Sequence, residues 1–205
     1  MKIFSLSRVA ILAAALFAAE GKAELENVFG PEDREEIRAY LLQEDYVSAR
    51  KAMLPLAEAG DPNSQWGLGL IYQRGLGVEQ SDSEAFKWFK KSAEGGFVDA
   101  QFSLATAYFT GEGAEVDVDE AHRWLMAAAE QGHVEAQYQL GHRMIYAEER
   151  FEDLERGEYW LTSAAYSGNA DAQYDLARYY DYEAKYLVDA LVNGELSEPE
   201  SQKEL

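Results

Sequence analysis

Apolar positions recur along most of this chain with the three- and four-residue spacing that predicts amphipathic α-helices. A first helix is predicted from about Asn63 to Arg74, with Leu68, Gly69 and Tyr72 on one face. Because glycine has no Cβ, Gly69 should let the backbone of a partner helix approach closely. The pattern therefore predicts one helix of an antiparallel pair.

Glycines and a polar cap separate this helix from the next. Gly75 and Gly77 end the first helix, since glycine accepts the left-handed conformation that follows a last turn. Ser81, three residues before Glu84, has the spacing of a capping box at the start of a second helix. The buried stripe of that helix is expected to consist of Ala85, Trp88, Phe89 and Ala93.

This helix pair recurs with a period of 36 residues. Asp117 and Glu120 repeat the capping pattern one period later. The recurring sets are Gln65, Gln101, Gln137 and Gln173; Leu68, Leu104, Leu140 and Leu176; Trp88, Trp124 and Trp160; and Gly60, Gly96, Gly132 and Gly168. A fixed period of this length predicts a solenoid of stacked units, in which the three tryptophans are core residues.

The third unit departs from the pattern. Ala147 and Glu149 stand where the two turn glycines are expected, and Gly157 replaces the alanine of the second helix. The turn around residues 148–152 should therefore differ in shape, and the preceding helix could run past Ala147.

The two ends of the chain look like atypical units. Residues 34–43 and 46–58 predict a hairpin that caps the stack, and residues 170–192 predict one final helix without a partner. About eight helices are expected in all. The predicted division is a signal peptide at 1–23, the capping hairpin at 24–62, repeats at 63–98, 99–134 and 135–170, a capping helix at 171–193 and an acidic, disordered tail at 194–205.

The first segment has the order of features found in secretory signal peptides. Lys2 and Arg8 precede an uncharged apolar run of 11 residues, and Gly21 and Ala23 are small residues at the positions read by a signal peptidase. A spanning helix needs roughly 20 apolar residues, so cleavage after Ala23 is favoured over anchoring. We therefore expect an exported chain, most simply a periplasmic one, that is not inserted in the membrane after cleavage.

Charge and cysteine content limit the partners. The formal charge is −20, and removal of Lys2, Arg8 and Lys22 with Glu20 would bring it near −22. Such a charge repels nucleic acid and anionic lipid, and it favours a cationic protein face, although it could also serve solubility alone. The chain has no cysteine, so its stability cannot come from disulfides.

The repeated motif resembles the Sel1-like repeat (SLR), a branch of the tetratricopeptide-like solenoids. The matching positions are Gly75, Gly77, Ala85, Trp88, Ala93, Gly96 and Ala100 in the first full unit, and Gly111, Gly113, Ala121, Trp124, Ala129, Gly132 and Ala136 in the second. In the third unit the register continues through Trp160, Leu161, Ala165 and Gly168. The resemblance implies an all-α, right-handed solenoid of antiparallel helix pairs whose first helices line a concave side.

By register, several rows of residues would face that concave side. They are Trp66, Phe102, Tyr138 and Tyr174; Leu70, Thr106, His142 and Arg178; Gln73, Phe109, Ile145 and Asp181; and Arg74, Thr110, Tyr146 and Tyr182, with Asn63, Asp99, Glu135 and Asp171 along the rim. One hypothesis is an aromatic groove with an acidic rim that binds a protein partner. The alternative is that the first row only packs between neighbouring repeats, whereas Tyr146 and Tyr182 are better candidates for partner contact.

Catalytic and metal sites are poorly supported. His122, His133 and His142 do not form an i, i+4 pair, so no metal site is expected, and no cofactor is expected either. Ser48 and Lys51 form an S-x-x-K string, but the S-D-N and K-T-G partners of β-lactam chemistry are absent from the sequence. The leading hypothesis is thus an interaction module, adaptor, scaffold or regulator of the bacterial envelope. The alternatives are a hydrolase acting on the cell wall or on β-lactams, and a secreted host-directed factor.

Overall fold

The repeating apolar stripes fold as helices in the computed structural model of the chain, which describes Leu25, residues 35–146 and residues 154–192. The described residues contain helices and no strand, which confirms the all-α class. The predicted signal peptide, the turn at 148–152 and the tail at 194–205 lie outside the described residues.

Nine helices are present in that part of the chain, one more than expected, because the N-terminal hairpin and three repeats give two each and the C-terminal segment one. They are α1 (Glu35–Leu42), α2 (Tyr46–Glu58), α3 (Pro62–Arg74), α4 (Asp82–Glu94), α5 (Val98–Thr110), α6 (Val118–Glu130), α7 (Val134–Tyr146), α8 (Leu154–Tyr166) and α9 (Ala170–Val192).

The helices belong to two compact units, one ending at His133 and the other beginning at Val134. In the first unit each of α1 to α5 packs on the next helix, and Leu41, Met53, Leu68, Ile71 and Leu104 are fully buried. In the second unit α7, α8 and α9 all pack on one another. Its core includes Leu140, Met144, Trp160, Leu161 and Ala164.

The second helices of the first two repeats have polar N-caps, but in each of them the capping box is only half formed. The Ser81 hydroxyl accepts a hydrogen bond from the backbone N–H of Glu84, and the Asp117 carboxylate accepts one from the backbone N–H of Glu120. In a complete capping box the N–H of the cap residue also donates to the glutamate side chain. Here the N–H of Ser81 donates to the carbonyl of Tyr72 at 2.9 Å, and the N–H of Asp117 donates to that of Tyr108 at 3.1 Å. Each cap therefore ties its helix to the last turn of the preceding helix.

Glycine ends the second helices by Schellman motifs. In the first repeat the N–H of Gly96 donates to the carbonyl of Ala93, and the N–H of Phe97 donates to that of Ser92. Gly96 has φ +87°, which L side chains rarely adopt, and its surroundings are open. The same arrangement recurs at Gly60, Gly132 and Gly168.

Close helix contacts depend on other glycines. A Cβ on Gly69 would overlap the ring of Phe89, and one on Gly113 would overlap the backbone carbonyl of Asp82. In the second unit, a Cβ on Gly141 would lie 2.7 Å from the backbone nitrogen of Leu161, and one on Gly157 would lie 2.8 Å from a side-chain carbon of Ile145. The glycine that replaces alanine in the third repeat thus permits a close approach of α7 and α8.

The positions expected to hold the repeats together differ in burial. Buried members are Leu68, Gly69, Ala85, Trp88, Ala93, Leu104, Ala121, Ala129, Leu140 and Trp160; half-buried ones are Tyr72, Gly75, Gly111, Gly113, Trp124, Ala165 and Leu176; exposed ones are Gly77, Gly96, Gly132 and Gly168. Trp124 is less buried than a core residue because its ring lies at the edge of the first unit's core, with the guanidinium of Arg123 5.5 Å from its centroid.

Candidate functional site

Three aromatic rings form a stripe along α7. Tyr138, His142 and Tyr146 are spaced four residues apart, which places them on one helix face. The ring centroids of Tyr138 and His142 lie 5.6 Å apart, and those of His142 and Tyr146 lie 5.1 Å apart. One side of the helix therefore presents a continuous aromatic surface.

A second stripe follows α9 in the same register. Tyr174, Arg178 and Tyr182 each lie 36 residues after a member of the α7 stripe. The guanidinium of Arg178 lies 5.9 Å from the ring centroid of Tyr146 and 5.8 Å from that of Tyr174. At these distances the cation interacts with both rings, so Arg178 joins the stripes. We call the six residues of the two stripes the α7/α9 face.

A buried carboxylate lies beneath this face. Asp175 is only 5% exposed, and its Oδ2 lies 2.7 Å from Nδ1 of His142. The hydroxyl of Tyr146 donates to the backbone carbonyl of Asp175 at 2.8 Å. A buried carboxylate is costly without a partner, and His142 supplies that partner. The same contact holds the imidazole against α9.

Burial, together with the carboxylates around the α7/α9 face, raises the pKa of two of its tyrosines. Burial is the first cause of the raised pKa of Tyr138, followed by the charges of Asp175, Asp171 and Glu135. Burial and the charge of Asp175 also raise the pKa of Tyr146, and Arg178 partly opposes them. Both hydroxyls therefore remain protonated donors at physiological pH.

The predicted rim residues have different surroundings. In the second unit Glu135 accepts hydrogen bonds from Gln139 at 3.2 Å and from Asn169 at 3.3 Å, and Asp171 is exposed. In the first unit Oδ1 of Asp99 lies 3.6 Å from Nε2 of His133. The α7/α9 face thus has acidic groups at one end.

The predicted binding residues of the first unit are engaged in packing. Trp66 is 5% exposed, packs against Phe97 and donates from Nε1 to Ser103 at 3.2 Å. Phe102 is half-buried and stacks on His133 with centroids 4.4 Å apart. These contacts leave Trp66 little surface for a partner.

Two further predicted residues of that unit, Thr106 and Phe109, are also half-buried. The hydroxyl of Thr106 donates to the carbonyl of Phe102, and the ring of Phe109 packs edge-on against His122. The structure therefore brings together Tyr138, His142, Tyr146, Arg178, Glu135 and Asp171 in the second unit, with the exposed Tyr182 at the end of the α9 stripe.

Asp175 was missed by sequence reasoning. Its counterparts 36, 72 and 108 residues earlier are Gln139, Ser103 and Gly67, so it is the one charged member of its row. A single charged residue in an otherwise uncharged row was the sign in the sequence that Asp175 has a special role. Its pairing with His142 required the packing of α9 on α7, which the repeat pattern does not specify.

Metal-binding side chains do not converge in the described part of the chain. No group of three His, Asp or Glu residues there is arranged to hold a metal ion. Ser48 lies on α2, where its backbone N–H caps against Asp45, and Lys51 is exposed one turn later. None of the helices that the structure describes is long and apolar enough to cross a bilayer.

A family model for the Sel1 repeat matches the chain at residues 62–97, 98–133, 134–169 and 170–188. The matches run without a gap and cover more than half of the sequence. Each matched repeat begins one residue before the boundary expected from the sequence, and the fourth includes the first part of α9.

Several solved structures are similar to this chain, including the following two. A protective antigen present in uropathogenic Escherichia coli strains, which displays an SLR fold, is 36% identical with a TM-score of 0.62, covering 66% of this chain and 29% of that one. A Sel1 repeat protein from Oxalobacter formigenes is 29% identical with a TM-score of 0.68, covering 73% of this chain and 61% of that one. The chain thus spans less than two thirds of either protein. A search of curated proteins gives no significant match.

Proposed function

The chain belongs to the Sel1 repeat family, whose repeats generally mediate protein–protein interaction, and from this premise we propose that it binds a partner protein through the α7/α9 face. The observation that carries the proposal is the pair of aligned stripes on consecutive first helices, one of them Tyr174, Arg178 and Tyr182. Tyr174 and Tyr182 are 64% and 72% exposed, so their rings are available as anchors.

The chemistry of the face indicates a partner that combines apolar and cationic groups. Tyrosine rings give large contact area at low entropic cost and also attract cations. Glu135 and Asp171 add negative potential at one end, in a chain whose formal charge is −20. Acidic groups of this kind increase the rate of encounter with a basic surface, and they do so most strongly at low salt.

We place this binding function in the bacterial envelope. The support is the signal-peptide pattern of residues 1–23, which would deliver the mature chain to the periplasm. An exported solenoid there could regulate a membrane sensor or hold an envelope complex together. Fractionation of the producing cells, with antibody detection of the cleaved chain, tests this location.

Secretion towards a host is the alternative. It draws on one observation, that a similar structure is a protective antigen of uropathogenic E. coli. Because this chain covers only 29% of that protein, the likeness does not transfer its role. Recovery of the chain in the culture medium, and not in the periplasmic fraction, would favour this alternative.

Loss of the exposed rings tests the binding face. The variants Tyr146→Ala and Tyr182→Ala should each reduce the proteins captured from the producing cell, as measured by crosslinking and affinity purification. Leu42→Ala is the control, because it removes an exposed apolar side chain from α1 and leaves the α7/α9 face unchanged. An unchanged set of captured proteins in both test variants would refute the assignment.

Sel1 repeats are typically non-catalytic interaction modules, and we propose that this chain has no turnover of its own. The alternative of an envelope hydrolase predicts activity on peptidoglycan or on the β-lactam nitrocefin. Purified chain should leave both substrates intact. Turnover that a single substitution abolishes, for example Ser48→Ala, would contradict the proposal.

A further inference from the structure

The outward side of α8 differs in chemistry from the second helices of the other repeats. The counterparts of Tyr159 at 36-residue intervals are Arg123, Lys87 and Lys51, all exposed. The counterparts of Tyr166 are exposed as well, and all three are acidic: Glu130, Glu94 and Glu58. In the last complete repeat, tyrosine therefore stands at two solvent positions where the earlier helices carry charge.

These tyrosines are exposed to an extent that packing within the chain does not explain. Tyr159 is 63% exposed and Tyr166 is 90% exposed. The ring of Tyr159 packs edge-on with the neighbouring Trp160 ring, at a centroid distance of 4.9 Å. Two large rings in place of lysine and glutamate lower solubility, so a compensating contact is expected.

A groove of about 390 Å³ adjoins Tyr166 between α8 and α9. It is lined by Thr162, Ala165, Tyr166, Gln173, Leu176 and Tyr180. In the earlier repeats the counterparts of Leu176 are Leu68, Leu104 and Leu140, which are almost completely buried, whereas Leu176 is only half-buried. Among the described residues no second helix follows α9, and Leu176 lines the groove.

We propose that two copies of the chain associate through this surface, the α8/α9 patch, formed by Tyr159, Thr162, Tyr166, Gln173, Leu176 and Tyr180. None of these six side chains is charged. In a twofold interface each residue meets the same surface on the other copy, so an acidic or basic patch would repel itself. The six side chains therefore add no like-charge repulsion of their own, although Glu158 beside them accepts a hydrogen bond from the Tyr180 hydroxyl at 2.6 Å. The formal charge of −20 on each copy opposes association, so the dimer should form most readily where salt screens that charge.

The size of the patch determines the strength of association. Tyrosine rings bury roughly 150–250 Å² each when fully covered, so the exposed parts of Tyr159, Tyr166 and Tyr180 offer about 400 Å² per copy. About 800 Å² over two copies is below the roughly 1,200 Å² of stable interfaces. The dimer is therefore weak, with a dissociation constant on the order of 10–1,000 µM. It forms reversibly and not as an obligate assembly.

Sedimentation velocity of the purified chain over this concentration range tests the proposal. The wild-type chain should shift from monomer to dimer as its concentration rises. The double variant Tyr159→Lys and Tyr166→Glu restores the charges of the earlier repeats, so it should fold normally and remain monomeric. The control Tyr182→Glu, on the α7/α9 face, should dimerise like the wild type. A wild-type monomer at about 1 mM, or a double variant that still dimerises, would overturn the proposal.

A crosslinking experiment makes the test independent of folding effects. The chain has no cysteine, so a single introduced thiol reports only on contacts between copies. Under mild oxidation Tyr159→Cys or Tyr166→Cys should form a disulfide-linked dimer at least tenfold faster than Tyr182→Cys. Equal rates for all three would contradict an interface at the α8/α9 patch. Neither experiment depends on the proposed partner, because the α7/α9 face is unchanged in the test variants.

Discussion

A repeated glutamine links successive helix pairs at the scale of single residues. Nε2 of Gln65 donates to the carbonyl of Ala57 at 2.9 Å, and Nε2 of Gln173 donates to that of Ala165 at 3.0 Å. Gln101 is placed in the same way against Ala93 at 3.5 Å. Each amide thus bonds to a carbonyl eight residues earlier, at the end of the preceding second helix. The period of 36 residues identified these glutamines, but their partners became clear only from the packing.

Replacing two of these glutamines should have unequal effects on stability. Gln65 is buried, whereas Gln173 is exposed. Gln65→Ala should lower the free energy of unfolding by about 0.5–1.5 kcal/mol for the lost hydrogen bond, plus a packing loss. Gln173→Ala should cost less, since water can replace its amide. Urea denaturation of both variants measures the difference, and equal losses would contradict a role for burial.

The tyrosines of the α7/α9 face should ionise late in an alkaline titration. Their pKa values are raised in the folded state, so neutral Tyr138 and Tyr146 stabilise the fold below the unfolded pKa of about 10. That contribution is lost as pH rises through the folded pKa. In ultraviolet difference titrations, Tyr138→Phe should remove a late phase of ionisation.

The same titration separates the causes of the Tyr138 shift. Asp175→Asn should lower the pKa of Tyr138 but leave it above its ordinary value, because burial is the larger cause. An unchanged titration in this variant would show that the carboxylate of Asp175 does not act on the tyrosine. The matched control Asp181→Asn changes an exposed carboxylate that pairs with Lys185.

At the scale of helices, the half-formed capping boxes give a selective prediction. Asp117→Ala should destabilise the chain by about 0.5–2 kcal/mol, since the backbone N–H of Glu120 loses its acceptor. Glu120→Ala should have a much smaller effect, because the N–H of Asp117 bonds to Tyr108 and the Glu120 side chain only pairs with exposed Arg123. Thermal denaturation of the two variants checks this order. A larger loss for Glu120→Ala would indicate a complete capping box.

Two turn glycines should respond differently to alanine. Gly96→Ala should cost about 1–2 kcal/mol, because only the positive φ is strained and the site is open. Gly113→Ala should cost more, since the added Cβ also overlaps the backbone carbonyl of Asp82. Chemical denaturation compares the two. Equal losses would show that the turn before α6 can move away from α4.

The boundaries of helices were predictable because their signals are local. Gly75 and Ser81 delimit α3 and α4 through backbone conformation and a neighbouring hydrogen bond, and the predicted start of α3 was one residue late. The incomplete capping box was not predictable, since the competing acceptor, Tyr72, belongs to another helix. Sequence spacing alone does not reveal which of two acceptors an N–H will use.

For the whole molecule, the helical class and the family followed from periodicity, whereas the candidate site followed only in part. Rows of residues 36 apart indicated which side chains share a face, and the α7 and α9 stripes are two such rows. The rows did not distinguish buried Trp66 from exposed Tyr174. Burial depends on side-chain size and on neighbouring helices, which vary between repeats even when the register does not.

A repeat protein should also lose stability locally when one repeat is damaged. Trp160 is 7% exposed in the second unit, so Trp160→Ala should cost about 3–5 kcal/mol. Hydrogen exchange should then show amides of α7, α8 and α9 losing protection by roughly a hundred- to four-thousandfold. Amides of α1 to α4 should keep theirs, because helices in such a stack depend mainly on their neighbours. A uniform loss along the chain would mean that it unfolds as one cooperative block.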